Sequence, residues 1–224
     1  MRSFQRSTLP LSLFALAMPF LFALAAPAPA AFAEEPGPPA AAAEEAPPPT
    51  FLGDYLAEVD RVREQILALA GAMPQEVYAW RPAEGVRSTS EVYLHLAFAN
   101  YMLPAVAGYA PPADLADQLG IDKIQAWDTA TTDKAAVAER LSRSFDHLRS
   151  TVEGIKEADL GATVEFFGQT PTKRQMLLLA LGHLHEHLGQ AIAYARMNGV
   201  VPPWSAAMQE AQREAAEAAK GESP

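Results

Sequence analysis

Apolar residues return every three or four positions in four long stretches of this chain, and no stretch alternates with the period of two that a half-buried strand needs. That regularity confines the fold to packed helices. The first helix is predicted over Phe51 to Ala70, where Leu52, Tyr55, Leu56, Val59, Val62, Ile66 and Leu69 share a face. Gly71 and Met73-Pro74 end it. The second is predicted from Ser88 to about Ala107. Ser88 and Glu91 form a capping-box pattern, Pro104 predicts a kink, and Val92, His95, Ala99, Met102 and Val106 face one way. The third runs from Lys134 to Lys156 behind Thr132 or Asp133, with Val137, Leu141, Phe145, Leu148, Val152 and Ile155 inward. The fourth is predicted to start at Thr170-Pro171, with Thr170 as its cap and Pro171 as its first helical residue, and to stop at Asn198-Gly199. Together they predict an all-α four-helix bundle over residues 51–204. Gly108 to Thr132 is long for a bare loop, so a short helix is expected around Ala113 to Leu119.

The flanks read differently. Met1 to Ala33 has the pattern of a signal peptide: Arg2 and Arg6, an apolar run broken by Pro10 and Pro19, then Ala31-Phe32-Ala33 before Glu34. Cleavage after Ala33 is expected, which predicts a secreted or periplasmic bacterial protein with no stable membrane insertion afterwards. Residues 34–50 are Pro, Ala and Glu without large apolar side chains, and are expected to form a disordered linker. Residues 205–224 are Ala/Glu-rich and read as a tail without a convincing apolar stripe.

Charge and cysteine content narrow the function. The net charge is −10, and loss of Arg2 and Arg6 makes it −12. No basic cluster is present, so nucleic acid is not an expected partner. With zero cysteines, disulfides, thiolate metal sites, cysteine nucleophiles and a lipid-anchored cysteine are all excluded. Neither Gly-x-Ser-x-Gly nor a Gly-rich phosphate loop occurs.

Histidines supply the one pattern that carries chemistry. His183 and His187 are four residues apart, on one face of the last helix. At about 100° per residue, Met176, Leu179, Gln190, Tyr194 and Met197 fall on the same stripe. Imidazoles in a core-facing seam cost a few kcal/mol each unless they find partners, and a metal ion is one such partner. His95 faces inward on the second helix by the same reasoning. Three neutral nitrogen ligands predict one divalent ion, zinc or nickel, with a coordination position left for a small-molecule substrate. Gln190, Glu91 and Tyr194 are candidates to support the ligands, although Glu91 already has a capping role. Glu91, Glu186 and Tyr194 are the candidates for a general base, and no catalytic residue is assigned. His185 and His147 are expected on outward faces. A carboxylate-rich di-iron site is excluded, because the first and third helices lack inward glutamates.

The last helix, with His183-x-x-x-His187-Leu-Gly189-Gln190, Arg196-Met-Asn-Gly199 and then Pro202-Pro203-Trp204, resembles that of the DinB-like superfamily. Trp80-Arg81-Pro82, Ser88 to Glu91 and His95 match the family's lead-in to its earlier histidine. The resemblance spans about Phe51 to Trp204. It implies a four-helix bundle, often a homodimer, with His95, His183 and His187 on one divalent metal. Leu188 stands where the family often has arginine, which would alter the rim of the site. Members with known activity include mycothiol- or bacillithiol-dependent transferases and isomerases, and hydrolases have been suggested. Those thiols are cytoplasmic, which fits poorly with a signal peptide. Two classes remain open: a metal-dependent hydrolase or transferase, and a non-catalytic, metal-stabilised binding or dimerisation module.

Overall fold

Each long helix begins where a polar side chain takes up the free amides of its first turn. The computed structural model describes residues 50–221, so the predicted signal peptide and most of the linker lie outside the described residues. Thr50 caps α1 (Phe51–Ala72), its Oγ1 accepting from Gly53 N at 3.0 Å. Ser88 and Glu91 form the predicted capping box of α2 (Thr89–Val106), with Pro104 in its last turn. A five-residue α3 (Ile124–Asp128) precedes α4 (Lys134–Glu153), which Asp133 caps. A second capping box, Thr172 with Gln175, opens α5 (Lys173–Met197). The last helix is α6 (Pro203–Gly221).

The described residues are thus all-helical, with six α-helices where the sequence predicts four long ones and a short one. α1, α2, α4 and α5 pack on one another around a continuous apolar core. The inward positions expected on α1 and α4 are buried, except that Leu56 is half-buried. α2 departs from the single-face expectation. On the expected face Val92 and Ala99 are buried and His95, Met102 and Val106 half-buried, while Tyr93, Leu94, Leu96, Ala97 and Phe98 on other faces are buried because α2 touches α3, α4 and α5 at once. A helix buried on several faces is apolar on several faces and carries little periodic signal.

Four further expectations are corrected. The start of α5 is Thr172, not Thr170-Pro171, because Thr163 to Thr172 folds back as a tight hairpin turn. The loop before α4 carries 3-10 turns at Ala116–Gln118 and Ile121–Lys123 and then α3, rather than a helix at Ala113 to Leu119. α4 stops at Glu153 with Gly154 as its cap, short of Lys156. Residues 205–221 continue α6, an exposed helix resting on α1 near its start. The end of α5 is as expected: Gly199 takes a φ of 73° and Val200 N reaches back to Ala195 O, the hydrogen-bond pattern of a Schellman stop. Among the described residues, no helix is long and apolar enough to cross a membrane.

Candidate metal centre

Two helices bring the three histidines together. α5 offers His183 and His187 one turn apart, and α2, packed along it, offers His95. Their rings lie 4.4 to 5.1 Å apart, centroid to centroid. His183 Nε2 is 3.3 Å from His95 Nε2 and 3.2 Å from His187 Nε2. One nitrogen from each ring falls in a cluster no more than 4.8 Å across.

The opposite ring nitrogens decide which tautomer each histidine holds. His95 Nδ1 lies 3.3 Å from Asp128 Oδ1, and His187 Nδ1 lies 2.8 Å from Gln190 Oε1. Both partners are acceptors, so both Nδ1 atoms donate and both Nε2 lone pairs turn toward the centre. Those two lone pairs face His183 Nε2, where a proton on that nitrogen or a cation among all three relieves their repulsion. A tetrahedral ion with ligands at about 2.0–2.1 Å sets its nitrogens about 3.3 Å apart, close to the spacing seen. The residues present therefore fit a divalent ion.

Electrostatics favour the same state. Burial, then the neighbouring His187, His95 and Arg87 charges, pushes His183 from 6.5 down to about 3. Burial also lowers His187, partly offset by its bond to Gln190. Both imidazoles are thus neutral at ordinary pH, as ligands must be. Burial works to raise the Asp128 carboxyl, but hydrogen bonds from His95 and Arg87, with their charges, hold it below the usual range. It stays an anion behind His95.

The surrounding bonds form a chain. Gln190 Nε2 donates to Tyr194 Oη at 3.0 Å, and Tyr194 Oη donates to the Arg87 carbonyl at 3.0 Å. Trp80 sets its ring edge-on against Tyr194 at 5.3 Å and 82°. Arg81 ties the same lead-in down, donating to Val86 O and to Glu91 Oε1, 2.9 Å each. Gln190 and Tyr194 therefore stand where the helical stripe put them. Glu91 does not reach the cluster: its carboxylate serves the Ser88 amide and Arg81. Glu186 is exposed.

Other expectations shift. Leu179 and Met197 are 43% and 63% exposed, so the core stripe of α5 is interrupted before His183 and ends after Tyr194. His185 is exposed as expected, 2.9 Å from Glu58. His147 is half-buried rather than outward, its ring 5.0 Å from that of Tyr101. Sequence reasoning missed Asp128 and Arg87, which are joined through Asp128 Oδ2 and Arg87 Nε at 2.7 Å. Asp128 ends a five-residue helix 33 positions after His95, and no spacing rule links the two.

Fold and donor set together define a helical protein with a candidate three-histidine metal centre. The family model for the DinB superfamily matches residues 58–191, and the chain belongs to that superfamily. No curated protein matches the chain in sequence. Among solved structures it is similar to a DinB-like protein from Bacillus cereus, at 16% identity and a TM-score of 0.57, covering 66% of this chain and 93% of that one. A DinB-like protein from Bacillus subtilis matches at 22% identity and 0.52, again over 66% and 93%. A mycothiol-dependent maleylpyruvate isomerase matches at 14% identity and 0.50, over 61% of this chain and 59% of that one. At these identities the likeness is one of fold.

Proposed function

We propose that this is an exported DinB-family four-helix bundle whose His95, His183 and His187 hold one divalent ion, zinc or nickel, in a hydrolase or group transferase. The observation that carries the reading is the convergence of three Nε2 atoms at 3.2 and 3.3 Å, with two of the opposite nitrogens spent on Asp128 and Gln190. Three protein donors are one fewer than a closed structural zinc site takes, which leaves a position for substrate. A divalent ion bound there supplies Lewis acidity to a substrate oxygen or sulfur. The chain's residues do the rest. Asp128 and Gln190 orient two imidazoles, and Tyr194 and Trp80 hold Gln190 in place. Arg87 lends positive charge at the rim. Export favours water over a cytoplasmic thiol as the acceptor.

Metal analysis tests the centre. His183→Ala is expected to lose most bound zinc or nickel, and His185→Ala to keep it. Equal loss from both, or none from either, rejects the assignment. With metal binding established, a hydrolase screen on loaded protein and on His187→Ala separates catalysis from a purely stabilising ion. Mass spectrometry of the protein from the cell envelope or medium tests export: the first residue is expected to be Glu34, and an intact Met1 rejects cleavage.

A further inference from the structure

Two cavities of opposite character adjoin, and one of them reaches the histidine cluster. One holds about 210 Å³ and is walled by Phe98, Ala99, Met102, Leu103, Phe166 and Leu179. The ionisable side chains on its wall are His95 and His183. The other is an open cleft of about 720 Å³, where Arg81, Arg87, Gln125, Asp128, Thr129 and Gln190 present polar groups. Ile124 of α3 lines both. Asp128 and Gln190 on the cleft side are the hydrogen-bond partners of His95 and His187. His95 and His183 thus wall the apolar compartment, and the polar one reaches the cluster through Asp128 and Gln190.

Arginine use in the cleft is uneven. Both Nη groups of Arg81 are occupied, by Val86 O and Glu91. Arg87 spends only Nε, on Asp128, and among the described residues its Nη groups have no protein acceptor. Two free Nη donors side by side match the two oxygens of a carboxylate. Of the cleft's own carboxylates, Glu91 is paired with Arg81, and Asp128 with Arg87 and His95, so an incoming anion shares Arg87 with Asp128 and takes only the Nη edge that Asp128 leaves open.

The apolar compartment is sized for a ring. A cavity of about 150 Å³ takes up benzene, so 210 Å³ admits a phenyl group or a short branched chain. Its Phe166 wall is held by the hairpin turn. Phe166 N donates to Gln169 O, and the turn residue Phe167, at a φ of 49°, sets its ring 4.7 Å from that of Phe166.

We infer that the substrate is a small amphipathic acid, its apolar group in the cavity beside His95 and His183 and its carboxylate on Arg87. This places the substrate's midsection beside His95 and His183, and its chemistry rests on the metal-centre reading above.

Calorimetry on the mature full-length protein, with and without one equivalent of zinc, tests this with 3-phenylpropionate, 3-phenylpropanol and propionate. The acid with the ring is expected to bind about tenfold or more tightly than either relative. Arg87→Gln is expected to erase its advantage over the alcohol. Leu179→Asp, at an exposed position, is expected to erase its advantage over propionate. Equal binding of all three probes to the wild type, or no binding, overturns the inference without recourse to a variant. A preference for the acid that survives Arg87→Gln also overturns it, since the carboxylate is then held by something else. Zinc content of the same samples separates the two readings. Zinc bound without probe discrimination leaves the metal centre standing and removes this inference. Discrimination without zinc does the reverse.

Discussion

A carboxylate behind a liganding imidazole fixes the ring's tautomer and raises its basicity, and Asp128 is placed to do both for His95. Its other oxygen is held by Arg87, so the carboxylate cannot swing away without leaving a buried charge exposed to no partner. Asp128→Asn keeps the shape but turns an amide donor toward one of two donors. Zinc affinity is expected to fall by about 10–100-fold. A competition titration with a chromophoric chelator measures it. Unchanged affinity, with circular dichroism showing an intact helical fold, shows that His95 needs no such partner.

At the scale of elements, α5 carries the site by spacing alone: His183, His187, Gln190 and Tyr194 follow at four, three and four residues. The hairpin turn before α5 is set by the backbone instead. Phe167 and Gly168 both have positive φ, 49° and 74°, as a type I′ turn requires. Glycine meets that demand freely, but phenylalanine does so at a cost of about 1–2 kcal/mol. Its ring is 71% exposed, so little burial offsets the cost. Phe167→Asn supplies the favoured Asn-Gly pair and is expected to raise stability by about 1 kcal/mol, read as a higher urea midpoint. A lower midpoint shows that the contact with Phe166 outweighs the strain.

The whole molecule links this site to acid stability. His183 and His187 bind protons less readily in the fold than in the unfolded chain. Between the two sets of pKa values the unfolded chain holds more protons, so stability falls as pH falls. The histidine contribution is complete above about pH 6.5 and is lost toward about 3, where His183 protonates. The lowered Asp128 carboxyl adds a loss of the same sign below its usual pKa of 3.8. Metal-free protein is therefore expected to unfold at lower urea concentration near pH 5 than near pH 7.5. Equal midpoints reject the assignment of neutral, buried imidazoles. Bound metal should steepen the dependence, because protonation must then displace it.

Periodicity and capping chemistry are local, and they determined what is local: the helical class, the starts of α1, α2 and α4, the stop at Gly199, and the faces that carry His95, His183 and His187. Long-range contacts decided the rest. α2 is buried on the faces that α3, α4 and α5 cover, and no single-face pattern could show that. The start of α5 was misread because a proline after threonine is also what a hairpin end looks like. Asp128 reaches His95, and Arg87 just before the cap of α2, only because α3 packs against α2, and a short helix has no periodicity to place it. The boundary between the apolar cavity and the arginine-bearing cleft likewise exists only in the packed structure, where residues from α2, α3, α5 and the hairpin turn meet around the histidines.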